Sequence, residues 1–156
     1  RIWLGRKSAF GAMGQLNDYM CLDGTIPVTQ LPYVLRRMNE LSEEFGLKVG
    51  NVFHAGDGNL HPLILYDANK PGDLQTCEAF GAEILKLCVE VGGCLTGEHG
   101  VGIEKRDLMH VQFEPVDLEA QMQIKDVFDP NWLMNPAKVF PLSSSADRRN
   151  ASNATG

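Results

Sequence analysis

The run LKVGNVFHAGDGNLHPLILYD, residues 47–67, constrains the fold more than any other stretch. Two apolar segments flank Gly-Asp-Gly-Asn, the pattern of two strands joined by a turn. Asp-Gly is the preferred pair for a two-residue type I′ turn, whose central residues both need positive φ. With Asp57 and Gly58 at that turn, His54 falls opposite His61. Directly opposed residues point to the same side of the ribbon, with Cβ atoms about 4.5–5.5 Å apart. The reading is therefore a β-hairpin carrying two imidazoles side by side.

The flanking sequence supplies the rest of a sheet and the helices to cover it. DYMCLDGTIP (18–27) reads as a strand ended by Gly24 and Pro27. Leu31, Val34, Leu35, Met38, Leu41 and Phe45 recur at helical spacing with charged residues on the other side, Thr29 is a candidate cap, and Gly46 is a C-terminal stop. A second helix runs from an N-cap at Asp73 to about Val91, its face made by Cys77, Phe80, Ile84, Leu87 and Cys88. Residues 1–17 read as a brief helix and a loop. GGCLTGEHGVG (92–102) has five glycines in eleven residues and forms no regular element. Helices follow from about Glu104 and over Pro115–Phe128, and FDPNWLMNPAKVFP, with three prolines, is irregular. Strand, helix, hairpin and helix in this order predict an α+β fold of ferredoxin-like type, with helices on one face of a mostly antiparallel sheet. The predicted organisation is one domain over 1–142 and a disordered tail over 143–156. The opening RIWLGRKSAF, without an initiator Met, reads as part of something longer.

Composition narrows the function classes. The 156 residues carry a net charge of −6, which disfavours nucleic acid or an anionic membrane as the main partner. No apolar run reaches the roughly 18 residues of a transmembrane helix. Cys21, Cys77, Cys88 and Cys94 form no C-x-x-C pair, and in a chain with a good core they read as buried reduced thiols, pointing to the cytoplasm. The sequons at Asn150 and Asn153 are then chance features of a polar tail.

His54 and His61 suit two ligands converging on one ion at about 2.0–2.1 Å; hydrogen-bonded structural histidines are the plainer alternative. Two ligands hold a metal poorly, and TGEHGVG offers Glu98 and His99. Adjacent residues in an extended segment point to opposite sides, so these two would have separate jobs, one on the metal and one beside it. A carboxylate-bearing substrate would also need a cation. Arg6, Lys105 and Lys138 are the candidates, with Arg6 preferred for its bidentate fork. A non-catalytic, metal-stabilised assembly module and a metal-dependent hydrolase are the competing readings.

FHAGDGNLHPLILYD, GGCLTGEHGVGIEKRDLM and FDPNWLMNPAK, with GRKSAF and CLDGTIP, together resemble the C-terminal domain of FAD-linked oxidases in the vanillyl-alcohol oxidase superfamily, nearest its glycolate oxidase members. The resemblance covers about residues 2–142. It implies a flavoprotein oxidoreductase of small 2-hydroxy acids such as glycolate or D-lactate, with FAD bound mainly by another domain of the same chain. It implies a divalent metal, usually zinc, on His54, His61 and Glu98. His99 would be the general base, Arg6 the substrate-carboxylate ligand and Asn135 a residue of the segment returning to the flavin. Relatives acting on a dicarboxylate have a lysine near Cys21 and an asparagine at Leu63, so the substrate implied here is a short monocarboxylate. A cytoplasmic enzyme with further oxidase subunits as possible partners, held to a membrane only through them, completes the expectation.

Overall fold

The structure, a computed structural model, describes residues 2–142 without the side chains of Ile2 and Arg6. The expected tail lies outside the described residues. The chain forms two compact units, residues 1–99 and 100–156.

In the first unit the elements are α1 (Ile2–Gly14), β1 (Asp18–Cys21), β2 (Gly24–Thr25), α2 (Leu31–Phe45), β3 (Val49–His54), β4 (Asn59–Tyr66) and α3 (Asp73–Glu90). β4 is the central strand. Along one edge it pairs antiparallel with β1 and β2, which share a single register from Asp18↔Tyr66 to Thr25↔Asn59. Along the other it pairs with β3. A bridge between Thr25 and Cys94 adds the start of a further antiparallel strand outside β2. The order is that of a β-α-β-β-α-β ferredoxin-like unit, in agreement with the expected class.

Alternation along the strands separates two faces. Met20, Leu22, Phe53, Leu60 and Ile64 meet α2 and α3 around Val34, Met38, Phe80, Ile84 and Cys88, which form the core. α3 presses close enough that a Cβ on Gly24 would stand 2.7 Å from Cys88 Sγ. The other face carries Tyr19, Cys21, Gly50, His54, Asn59, His61 and Leu63. α1 lies on this second face, with Phe10 against Tyr19 and Met13 over Gly50. Covering helices are thus not confined to one face, and α1 runs through Gly11 to Gly14 where a brief helix was expected. Packing of Met13 into the space left by Gly50 outweighs the helix-weakening glycines.

The hairpin differs from the two-residue expectation. His54 pairs with Asn59, and Val52 with His61. Four residues, 55–58, make the connection, closed by the Asp57 N–H donating to the His54 carbonyl at 3.0 Å. Gly58 has φ +70°, and no other residue of the loop has positive φ. Tertiary contact sets this turn: the Ile26 N–H donates to the Gly58 carbonyl at 2.9 Å, and a Cβ on Gly58 would lie 2.1 Å from the Ile26 carbonyl oxygen. The shift is by two residues, so every side chain keeps its face. His54 and His61 remain on one side as diagonal, not opposed, neighbours.

Smaller corrections are local. The expected strand over 18–27 is broken at Leu22–Asp23. α2 is preceded by a 3-10 turn at Val28–Gln30, so Thr29 is not its cap. α3 has Gly72 as N-cap with Asp73 inside the first turn.

The second unit contains a 3-10 turn at Arg106–Leu108, α4 (Met109–Gln112) and α5 (Pro115–Phe128). The helix expected from Glu104 therefore starts later. α5 opens with a reciprocal capping box between Glu114 and Asp117. The irregular segment after it is tied by Asp129, whose carboxylate accepts Lys125 Nζ at 2.7 Å and the N–H groups of Leu133 and Met134 at 2.9 and 3.0 Å. The Lys125 hydrogen bond is the main reason that its pKa is lowered. Trp132 donates Nε1–H to Asp126 at 2.6 Å and packs on Phe140.

Candidate metal centre

The site begins with a missing hydrogen. Leu22 and Pro62 stand opposite one another, where an antiparallel pair normally exchanges two N–H···O bonds. The Leu22 N–H donates to the Pro62 carbonyl at 3.0 Å. Pro62 has no N–H to return. The Leu22 carbonyl is instead 3.1 Å from Nδ1 of His61. A carbonyl only accepts, so Nδ1 carries the proton. In the neutral ring Nε2 then holds a lone pair.

That Nε2 lies 2.8 Å from Glu98 Oε1, which is also 3.9 Å from His54 Nε2. Two acceptors face each other at His61 unless a proton on the ring or a cation stands between them. Two tetrahedral ligands at zinc distances lie about 3.3 Å apart, a separation that the observed pair of distances straddles. The donor set, two imidazoles and one carboxylate, suits zinc or a similar divalent ion. His61 is buried at 5% exposure, while the side chains of His54 and Glu98 are 43% and 55% exposed, so the site opens to solvent on one side.

Asp23, His61, Glu98 and His99 also offer ligand atoms within 4.8 Å of one another. Ring orientation separates the two sets. The His54 and His61 planes are at 80°, with centroids 5.5 Å apart, so in-plane lone pairs can converge. The His61 and His99 rings are stacked at 5.3 Å and 22°, which keeps their in-plane lone pairs in separate, nearly parallel planes. Both oxygens of Asp23 are already taken by donors of the glycine-rich loop. The Thr96 hydroxyl donates to Oδ2 at 2.7 Å, Gly97 N–H at 2.9 Å and His99 N–H at 2.8 Å, and Glu98 N–H reaches both oxygens at 3.1 Å. His54, His61 and Glu98 could therefore hold a divalent ion, with the His99 ring beside them.

Three successive amides can point at one carboxylate only if the chain curls, as in an anion-binding nest. The segment holding Glu98 and His99 is therefore not extended, and both side chains flank His61 instead of parting to opposite sides. Asp23 is the residue that sequence reasoning missed. The clue was available: a run of free amides in TGEHG requires an acceptor.

The other expected residues lie elsewhere. Arg6 is on α1, on the sheet face that carries the histidines, and its side chain is outside the described residues. Lys105 is buried at 1% exposure, unlike a solvated cation. Lys138 and Asn135 are exposed, and Asn135 has φ +47°. Both belong to the second unit.

Comparison with known proteins places this geometry in context. Residues 1–139 match the family described as FAD linked oxidases, C-terminal domain. The chain is 52% identical to glycolate oxidase subunit GlcD of Escherichia coli (strain K12), over 90% of this chain and 28% of that protein. It is 32% identical to glycolate oxidase subunit GlcD of Bacillus subtilis (strain 168), over 86% of this chain and 29% of that one. With D-lactate dehydrogenase of Archaeoglobus fulgidus it shares 38% identity, over 76% of this chain and 26% of the relative. The chain thus spans less than a third of the length of each of these relatives. The match extends through nearly all the described residues, histidine hairpin and glycine-rich loop included, and the chain belongs to the C-terminal domain family of the FAD linked oxidases.

Proposed function

We propose that residues 1–142 are the substrate-side domain of an FAD-dependent oxidoreductase of small 2-hydroxy acids, of the glycolate or D-lactate type. The observation that carries the proposal is His61, with Nδ1 tied to a backbone carbonyl and Nε2 turned to Glu98. Metal-binding histidines commonly have their other ring nitrogen fixed in this way. His54, His61 and Glu98 would hold a divalent ion, zinc being the best match to the donors, and its chemistry there would be to polarise the substrate's hydroxyl oxygen. FAD, held mainly by the rest of a longer chain, is the hydride acceptor when bound.

The residues of this chain bind, orient and move a proton. His99 accepts the hydroxyl proton, a task for which an imidazole has a suitable pKa range. Its ring is exposed and stacked on that of His61, which supports a role beside the metal and not on it. Arg6 grips the substrate carboxylate, and Asn135 belongs to the segment that returns to the flavin. Cys21 and Leu63 are paired across β1 and β4 on the face that carries His61. Neither offers a charge for a second carboxylate, which favours a short monocarboxylate. No helix among the described residues is long and apolar enough to cross a membrane. Under this reading the protein works in the cytoplasm, with any membrane attachment made by partner oxidase subunits.

The test has two stages. Elemental mass spectrometry of the purified chain is expected to find about one divalent ion per chain, lost in His54→Ala/His61→Ala. Equal metal content in the two proteins refutes the ligand assignment. In the protein carrying its FAD domain, His99→Ala is expected to abolish turnover of glycolate or D-lactate and to keep the metal. Full activity in that variant ends the assignment of the base.

A further inference from the structure

We propose that Asp23 is the positioning residue of the metal centre: its carboxylate sets where Glu98 and His99 stand relative to His61. The proposal rests on the metal reading above and extends it to a residue outside the three proposed ligands.

Three observations combine. Asp23 follows Leu22 at the break between β1 and β2, so it continues their register opposite His61. It is fully buried, at 0% exposure. Its side chain collects the Thr96 hydroxyl and the amides of Gly97, Glu98 and His99, residues 73 to 76 positions away. A buried carboxylate is costly unless donors surround it, and charge-assisted bonds of this kind are about twice as strong as neutral ones. The loop is already anchored upstream, where Cys94 pairs with Thr25 and Leu95 is buried. What the Asp23 contacts add is the curl at 97–99. That curl brings Glu98 to 2.8 Å from His61 Nε2 and lays the His99 ring over His61. One carboxylate thus fixes the ligand and the proposed base together.

The test measures zinc affinity by chelator competition, amide hydrogen exchange at 97–99, and the ring-current shift of the His99 ring protons. Asp23→Asn keeps the shape but turns an NH2 group toward N–H donors. It is expected to speed exchange at all three amides, to remove the His99 ring-current shift, and to weaken zinc binding about ten- to a hundredfold. Exchange in β4 should stay unchanged. Thr96→Val removes one donor from a chain whose Asp23 is intact, and should cost about three- to tenfold in affinity. If Asp23→Asn does not fold, Thr96→Val decides by the same readouts. His54→Ala is the control: it weakens zinc without altering exchange at 97–99. Unchanged exchange, or wild-type zinc affinity in a variant whose loop amides have lost protection, overturns the proposal. A wild-type chain that takes up no zinc ends the metal reading instead. Positioning is then decided by the metal-free exchange and ring-current data, where loss in Asp23→Asn supports it and retention overturns it.

Discussion

Gly97 has no room for a side chain. A Cβ there would stand 2.8 Å from both Asn59 Oδ1 and Thr25 Cγ2, closer than real contacts allow. Gly97→Ala must therefore lift the loop off the sheet by several tenths of an ångström, and the adjacent Glu98 moves with it. The expected result is zinc affinity reduced about tenfold or more with the fold retained, measured by chelator competition alongside circular dichroism. Unchanged affinity would mean that the loop does not set the ligand. The glycine, like His54, His61 and Glu98, was legible in the sequence, because metal-binding residue types beside glycines already suggest close approach. Asp23 was not. In CLDGTIP an aspartate before glycine reads as an ordinary turn residue, and its partners lie more than seventy positions along the chain. The free amides of TGEHG call for an acceptor, but local pattern does not say which residue supplies it at that separation.

Pro62 leaves the Leu22 carbonyl at the broken edge of the sheet free to take the His61 ring. β1 and β2 would run as one strand if position 62 had an N–H, since their registers already coincide. Pro62→Ala restores that donor and sets it in competition with His61 Nδ1–H for the Leu22 carbonyl. The expected outcome is a continuous strand from Asp18 to Thr25 and a His61 ring no longer held in one tautomer. Ring 15N chemical shifts should move from a single Nδ1–H form toward a mixture, with zinc affinity falling. Unchanged shifts would show that the ring is held by something other than the carbonyl. Both apolar strands and the turn between them were readable from residues 47–67, but the register was not. Asp-Gly favours a two-residue turn, whereas the contact between Gly58 and Ile26 requires a four-residue one. Only the even size of the shift kept the two histidines on the same face.

The α+β class followed from the order of the periodic segments, and α2 and α3 cover the core face as expected. α1 on the opposite face was harder to foresee, because its packing depends on the space above Gly50 and not on any apolar stripe of its own. The cysteines were expected to be buried alike, and the structure divides them: Cys77 and Cys88 are buried, Cys21 is half-buried and Cys94 is exposed. Burial, with smaller contributions from Glu78 and Asp73, pushes the Cys77 thiol up to about 11. At pH 8 that leaves about one molecule in a thousand as the reactive thiolate, against roughly a quarter for a free cysteine. A thiol reagent at this pH should therefore modify Cys94 quickly and Cys21 more slowly. Cys77 and Cys88 should react only as the core of residues 1–99 opens, at a rate that rises with denaturant. Peptide mapping of the labelled protein distinguishes the four sites. Rapid labelling of Cys77 or Cys88 in buffer would mean that α3 does not stay closed over the sheet, and with it would go the rigid support that the histidine face requires.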